Sequence, residues 1–254
     1  MKDKHFDINE EGVSIRCRLM TSSDNRTFER VIIITHGFGG NKEAANITRF
    51  SDKELGKHKN DALIAFDWPA HGKDGRKKLE ISECLQYLSI VIKYAKDTLQ
   101  AEYIYNYSVS MGGYLTLLYI HENGNPFTKV ALRAPGLRMY ESMLRNLSEA
   151  DREKLAKGRE VEVGFERKMK ISQSLLDELQ AKDVRTYEYI DRAENMLLIH
   201  GTKDEMVDIN DSRKFSEDNI IDLVEVEGAD HTFRNPKYMD QAIHAIVEFF
   251  APEN

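Results

Sequence analysis

The chain has 254 residues, and at roughly 150 residues per domain, with α/β folds often reaching about 250 as one unit, a single domain is expected. Lys and Arg number 36 against 43 Asp and Glu, a formal net charge of −7 that argues against nucleic-acid partners and against docking on anionic lipid. With 41% hydrophobic and 31% charged residues the chain can bury a core, which excludes a disordered protein.

Cys17 and Cys84 lie outside any Cys-x-x-Cys or Cys/His cluster and are expected to be free, buried thiols. Met1 to His5 leads into polar sequence with no apolar signal region, and no stretch approaches the roughly 20 apolar residues of a bilayer span. The expectation is a cytoplasmic protein without a membrane partner. The sequence leaves the oligomeric state, monomer or homodimer, open.

Along the chain, short β-branched runs alternate with helical patterns. The predicted strands are Val13–Leu19, Arg30–Thr35, Ala62–Phe66, Tyr103–Tyr107, Lys129–Arg133, Met196–His200 and Asp222–Val226. Val13–Leu19 alternates and reads as a half-exposed antiparallel edge strand. Runs such as Val31 to Ile34 and Ala62 to Phe66 are apolar throughout, as in strands covered on both faces. Between them, Ile81–Leu99, Met111–Glu122 and Asp240–Phe250 read as helices; the second ends at Asn123-Gly124, with Pro126 preventing its continuation. The order predicts an α/β fold with a mostly parallel sheet flanked by helices.

One segment breaks the rhythm. Residues 137–185 are highly charged, with helices expected near Glu149–Lys157 and Ser172–Ala181 and a strand or hairpin arm at Glu160 to Phe165. This reads as a lid inserted into a core made of residues 1–136 and 186–254.

Four segments carry chemistry. Ser108-Val109-Ser110-Met111-Gly112-Gly113 follows a predicted strand and opens a predicted helix, the context of a nucleophile elbow with Ser110 at its tip. Gly112 meets the demand for a small residue, whereas Ser108 stands where G-x-S-x-G has glycine. Taken alone, the segment is equally well an N-cap serine on an ordinary crossover. His36-Gly37-Phe38-Gly39-Gly40 follows another strand; its glycines let the backbone approach a reacting carbonyl, and the Phe38 and Met111 amides would form an oxyanion hole. A phosphate loop is the alternative, but Lys42 is misplaced for it and no G-x-G-x-x-G is present. His200-Gly201-Thr202-Lys203-Asp204 places Asp204 at a strand end, where α/β active sites assemble. Asp208, Asp211 and Asp230 compete with it as the acid, but only Asp204 fits that spacing. His231, after the last strand, would reach the same rim, giving the chain order Ser110, Asp204, His231 of α/β-hydrolases. His36, His71 and His200 read as structural hydrogen bonders rather than bases. No H-E-x-x-H or similar ligand set is present, so neither a metal nor another cofactor is expected.

Together these segments resemble the α/β-hydrolase superfamily of serine esterases over about Ile8 to Phe250. More narrowly they are similar to the branch of cinnamoyl and feruloyl esterases, monoacylglycerol lipases and serine aminopeptidase-like hydrolases. Asp67-Trp68-Pro69-Ala70-His71-Gly72 is similar to that branch's D-x-P-G-H-G loop, with Ala70 in place of glycine. Asp208 stands where a proline often follows the acid. The resemblance implies a metal-free Ser-His-Asp esterase acting through an acyl-enzyme on a small-molecule ester, of hydroxycinnamoyl or short acyl type. A monoacylglycerol lipase or a thioesterase uses the same machinery. A non-catalytic receptor on this fold is the rival from another class, but such proteins lose a triad member and here all three are present. Residues expected to line the substrate pocket from the lid are Tyr140, Met143, Phe165 and Met169.

Overall fold

The computed structural model describes residues 1–164 and 167–252. It begins with the antiparallel pair β1 (Lys2–Glu10) and β2 (Val13–Thr21), followed by β3 (Arg30–Thr35), α1 (Ala45–Lys57), β4 (Ala62–Phe66) and α2 (Ile81–Asp97). Then come β5 (Tyr103–Val109), α3 (Met111–Asn123) and β6 (Lys129–Arg133). Residues 137–185 hold α4 (Met139–Arg145), α5 (Glu149–Ala156), the antiparallel pair β7 (Val161–Val163) and β8 (Met169–Ile171), and α6 (Gln173–Ala181). The chain closes with β9 (Met196–Gly201), α7 (Ile209–Asn219), β10 (Asp222–Val226) and α8 (Pro236–Phe249).

Eight strands form one sheet in the order β1-β2-β4-β3-β5-β6-β9-β10. β2 is antiparallel to both β1 and β4, and every pairing from β4 to β10 is parallel. The apolar runs are explained by two-sided burial: Val31 and Ile33 pack on the face of α2 and α3, Ile32 and Ile34 on the face of α1 and α8. Such a sheet brings the C-terminal ends of β3, β5, β6 and β9 to one rim, with a loop leaving each.

Several elements differ from the sequence reading. β2 is not an edge strand, because β1 pairs with it along its whole length. β1 carries only Phe6 and Ile8 as apolar residues, so its pairing rests on backbone hydrogen bonds that no side-chain pattern advertises. α1 and α7 went unpredicted because polar residues interrupt their buried stripes: Ser51 and Glu54 in α1, Ser212 and Asn219 in α7. α8 starts four residues early, with the Asn235 side chain capping the Lys237 amide at 3.0 Å and Pro236 opening the first turn. Cys17 and Cys84 are free and buried. Apolar side chains of 137–185, among them Leu137, Met139, Leu155 and Leu175, join the core cluster of α2 and α3. No helix among the described residues is long and apolar enough to cross a membrane.

Candidate active site

Ser110 stands at the junction of β5 and α3 with φ 52° and ψ −117°, a conformation that L-residues seldom adopt. Its neighbours explain how the turn closes. A Cβ on Gly112 would lie 2.4 Å from Thr35 Oγ1, and one on Gly37 would lie 3.0 Å from Ser110 Cβ. Ser108 is tolerated where glycine is usual because its hydroxyl turns inward and is fully used. It donates to Asn106 Oδ1 at 2.5 Å, accepts from Thr35 Oγ1 at 2.7 Å and lies 2.8 Å from Thr116 Oγ1. The Ser110 side chain makes no capping bond to its helix, which removes the N-cap reading.

Instead, Ser110 Oγ donates to His231 Nε2 at 3.1 Å, and His231 Nδ1 donates to Asp204 Oδ2 at 2.7 Å. The Asp204 side chain is wholly buried, and its other oxygen accepts the Met206 and Val207 amides at 2.8 Å each. Burial pushes the Asp204 carboxyl up, but the hydrogen bonds from His200 and His231 outweigh it and hold the group well below the usual carboxylate range. The acid is therefore ionised wherever an imidazole could serve as base. The competing carboxylates are engaged elsewhere: Asp208 caps α7 at the Asn210 amide, Asp211 accepts from Arg138, and Asp230 accepts from Arg234.

Among the described residues, neither the Phe38 nor the Met111 amide finds an acceptor. Lys42, the cation that a phosphate loop would need free, is held by Glu43 at 2.8 Å and Asp67 at 3.3 Å. His36 donates through Nδ1 to the Gly37 carbonyl and accepts the Trp68 amide at Nε2, and His71 donates to the Pro69 carbonyl. Burial lowers their pKa to about 4 for His36 and about 3 for His71, so both rings stay neutral as structural hydrogen bonders. Among the described residues no group of three or more His, Cys, Asp or Glu side chains is placed to hold a metal.

A cavity of about 900 Å³ opens over Ser110 and His231, within the range of small-molecule sites. Phe38 and Met143 line it, together with Val163 and Gly164 of the β7 strand and its turn. Of the other pocket residues expected from sequence, Tyr140 faces a separate cavity beside Tyr114 and Leu179, and Met169 is fully buried. Phe165 lies outside the described residues.

Residues 64–253 match the prolyl oligopeptidase family. The chain belongs to that family. No curated protein matches the sequence. Among solved structures, Est1E from Butyrivibrio proteoclasticus is 21% identical, with a TM-score of 0.77 over 96% of each chain. Its ferulic acid-bound form gives 22% and 0.78 over 96% of this chain and 97% of that one. Paleococcus ferrophilus monoacylglycerol lipase gives 19% and 0.69 over 93% of this chain and 98% of its own. The fold is that of the α/β-hydrolases, and this prolyl oligopeptidase-family chain is a hydrolase of that type.

Within this family member one residue of the site was not legible beforehand. His200 Nε2 reaches Asp204 Oδ2 at 3.0 Å and the Val207 carbonyl at 3.2 Å. Both partners are acceptors, so Nε2 carries the proton and donates. Nδ1 then accepts the Ser212 hydroxyl at 2.7 Å. The acid thus has a second imidazole on the same oxygen as His231.

Proposed function

We propose that the protein is a serine esterase cleaving carboxylic esters through an acyl-enzyme. The observation that carries this reading is the unbroken chain from Ser110 through His231 to Asp204, at 3.1 and 2.7 Å, with the serine held in a strained elbow. Ser110 Oγ attacks the ester carbonyl carbon while its proton passes to His231 Nε2. The carbonyl oxygen takes the negative charge and accepts the Phe38 and Met111 amides, which have no other partner among the described residues. Asp204 keeps the Nδ1 proton in place and stabilises the imidazolium. His231 then gives its proton to the departing alkoxide. Water, deprotonated by the same ring, releases the acid and restores Ser110.

For substrate we infer hydroxycinnamoyl or short acyl esters, with residues 137–185 acting as the lid. The cavity of about 900 Å³ has Phe38 and Met143 on its wall, an apolar surface suited to a flat acyl group. Est1E, a structural neighbour, binds ferulic acid. A fluorophosphonate probe should label the wild type and not Ser110→Ala, whose kcat should fall by about 10⁴-fold or more. A panel of feruloyl, acetyl, butyryl, long-chain monoacylglycerol, thioester and aminoacyl-amide substrates then ranks the class by kcat/KM. Ester turnover by Ser110→Ala within tenfold of wild type would overturn the mechanism. Amides or long-chain esters leading the panel would replace the substrate class with a peptidase or a lipase.

A further inference from the structure

Arg133 ends β6 beside the nucleophile: its residue pairs with Val109, and its carbonyl accepts the Ser110 amide at 3.0 Å. The residue is only 3% exposed, and it lines the same cavity as Ser110 and His231. Its polar atoms are poorly matched. Nη1 meets only the Met239 sulfur at 2.9 Å, and the buried Nε has no partner. The guanidinium lies 5.1 Å from the Phe233 ring centroid, on the loop that carries His231. Among the described residues no carboxylate comes within 4.0 Å of it.

The two other buried arginines differ. Arg18 is paired with Asp3 at 2.7 Å, and Arg30 with Glu54 at 3.0 Å and with Asp61. The carboxylates lining the cavity do not serve Arg133 either, since Glu162 pairs with Lys77 at 3.1 Å and Glu205 with Arg234 at 3.4 Å. A guanidinium stays charged in a protein, and burying it without a counter-ion is strongly unfavourable unless something else supplies one. The cavity beside Ser110 is where that counter-ion would enter.

We propose that Arg133 is the anion-recognition residue of this cavity, and that the substrate is an ester bearing a carboxylate. The proposal rests on the serine-esterase reading and deepens it by naming a substrate class. A carboxylate suits the site because its two oxygens match the edge of a planar guanidinium. Of the other cations on the cavity wall, Arg234 is paired with Asp230 and Glu205, and Lys168 donates to the Gly164 carbonyl. Arg133, flanked by Met239 and Phe233, therefore offers compensation for a single negative charge, which favours a carboxylate over a phosphate dianion.

The test uses two matched pairs of esters. 4-Nitrophenyl hemisuccinate against 4-nitrophenyl methyl succinate places the charge on the acyl side; 4-acetoxybenzoate against 4-acetoxybenzamide places it on the alcohol side. In one pair the wild type should favour the charged member by about 10- to 100-fold in kcat/KM, the strength of a hydrogen bond to a charged group. Arg133→Met should bring that ratio close to one, and Arg133→Lys should keep part of it. Should Arg133→Met fail to fold, the Lys variant and competition of wild-type turnover by benzoate against benzamide give the same discrimination. A wild type indifferent to charge in both pairs, or an Arg133→Met that keeps its preference, would overturn the proposal. A protein that fluorophosphonate does not label and that turns over none of the four esters would sink the esterase reading and this proposal with it. Labelled protein that hydrolyses charged and neutral esters alike would sink the role of Arg133 alone.

Discussion

Replacing His200 by Phe tests how Asp204, the proposed triad acid, is held. A flat aromatic ring is kept, though a larger one, while the Nε2–H donor 3.0 Å from Asp204 Oδ2 is lost. Asp204 then retains three hydrogen bonds: the Met206 and Val207 amides at 2.8 Å on Oδ1, and His231 at 2.7 Å on Oδ2. A hydrogen bond to a charged group contributes about 1.5–3 kcal/mol, which bounds the loss in kcat/KM at about 10- to 100-fold. The carboxylate keeps its position through Oδ1, so the loss should stay well short of the roughly 10⁴-fold expected for Asp204→Asn, where the imidazole tautomer itself is disturbed. The assay is kcat/KM on an activated ester for His200→Phe, Asp204→Asn and the double variant. Because His200 acts only through the carboxylate, the double variant should be little worse than Asp204→Asn. His200→Gln, which restores a donor, should recover part of the loss. If His200→Phe stays within twofold of wild type, or if the two losses multiply in the double variant, His200 does not act through Asp204.

Two further predictions concern stability. Ile220 ends α7 in the left-handed region at φ 58° and ψ 36°, where a β-branched residue is strained, and it is 74% exposed. Ile220→Gly should therefore stabilise the fold by about 1 kcal/mol, read as a Tm about 2–4 °C higher; an unchanged or lower Tm would show that the strain is absent. His71 has its pKa lowered to about 3 by burial, so the unfolded chain takes up the proton first on acidification, and the stability due to the neutral ring is present above about pH 6.5 and drains away below it. Relative to His71→Asn, the wild type should lose about 2 kcal/mol of its urea-unfolding stability between pH 7 and pH 5. A difference between the two proteins that does not change with pH would refute the buried neutral ring.

Legibility in the sequence followed where the energy lies. The central strands could be read because two-sided burial forces apolar runs, as in Val31 to Ile34. The meeting of Ser110, Asp204 and His231 could be read because each follows a strand, and parallel strands deliver their ends to one rim. What escaped lacked such a signature. β1 is held by its register with β2, and α1 and α7 bury Ser51, Glu54 and Ser212 on their inner faces. His200-Gly201 marked a strand end, but nothing in the spacing shows that its imidazole turns back onto Asp204 Oδ2. Likewise the apolar residues of 137–185 carry no mark of whether they face the core or the cavity: Met143 does both, whereas Met169 is buried completely.

The departures from the esterase motifs bear on this division as well. Ser108 is spent on an internal network with Thr35, Asn106 and Thr116, and Ala70 accepts a left-handed φ of 65° inside the loop that carries His71. Asp208 caps a helix. None of the three lines the cavity over Ser110, so they adjust the scaffold and leave the reacting atoms alone. On the proposed reading, choice of substrate falls to the ring of Phe38, whose amide belongs to the glycine-rich motif, and to two residues that no motif contains, Met143 and Arg133. Of these, Arg133 has the greatest leverage. An apolar wall separates esters differing by a methylene by only about 1–3 kcal/mol, whereas a buried charge left without its partner discriminates far more sharply.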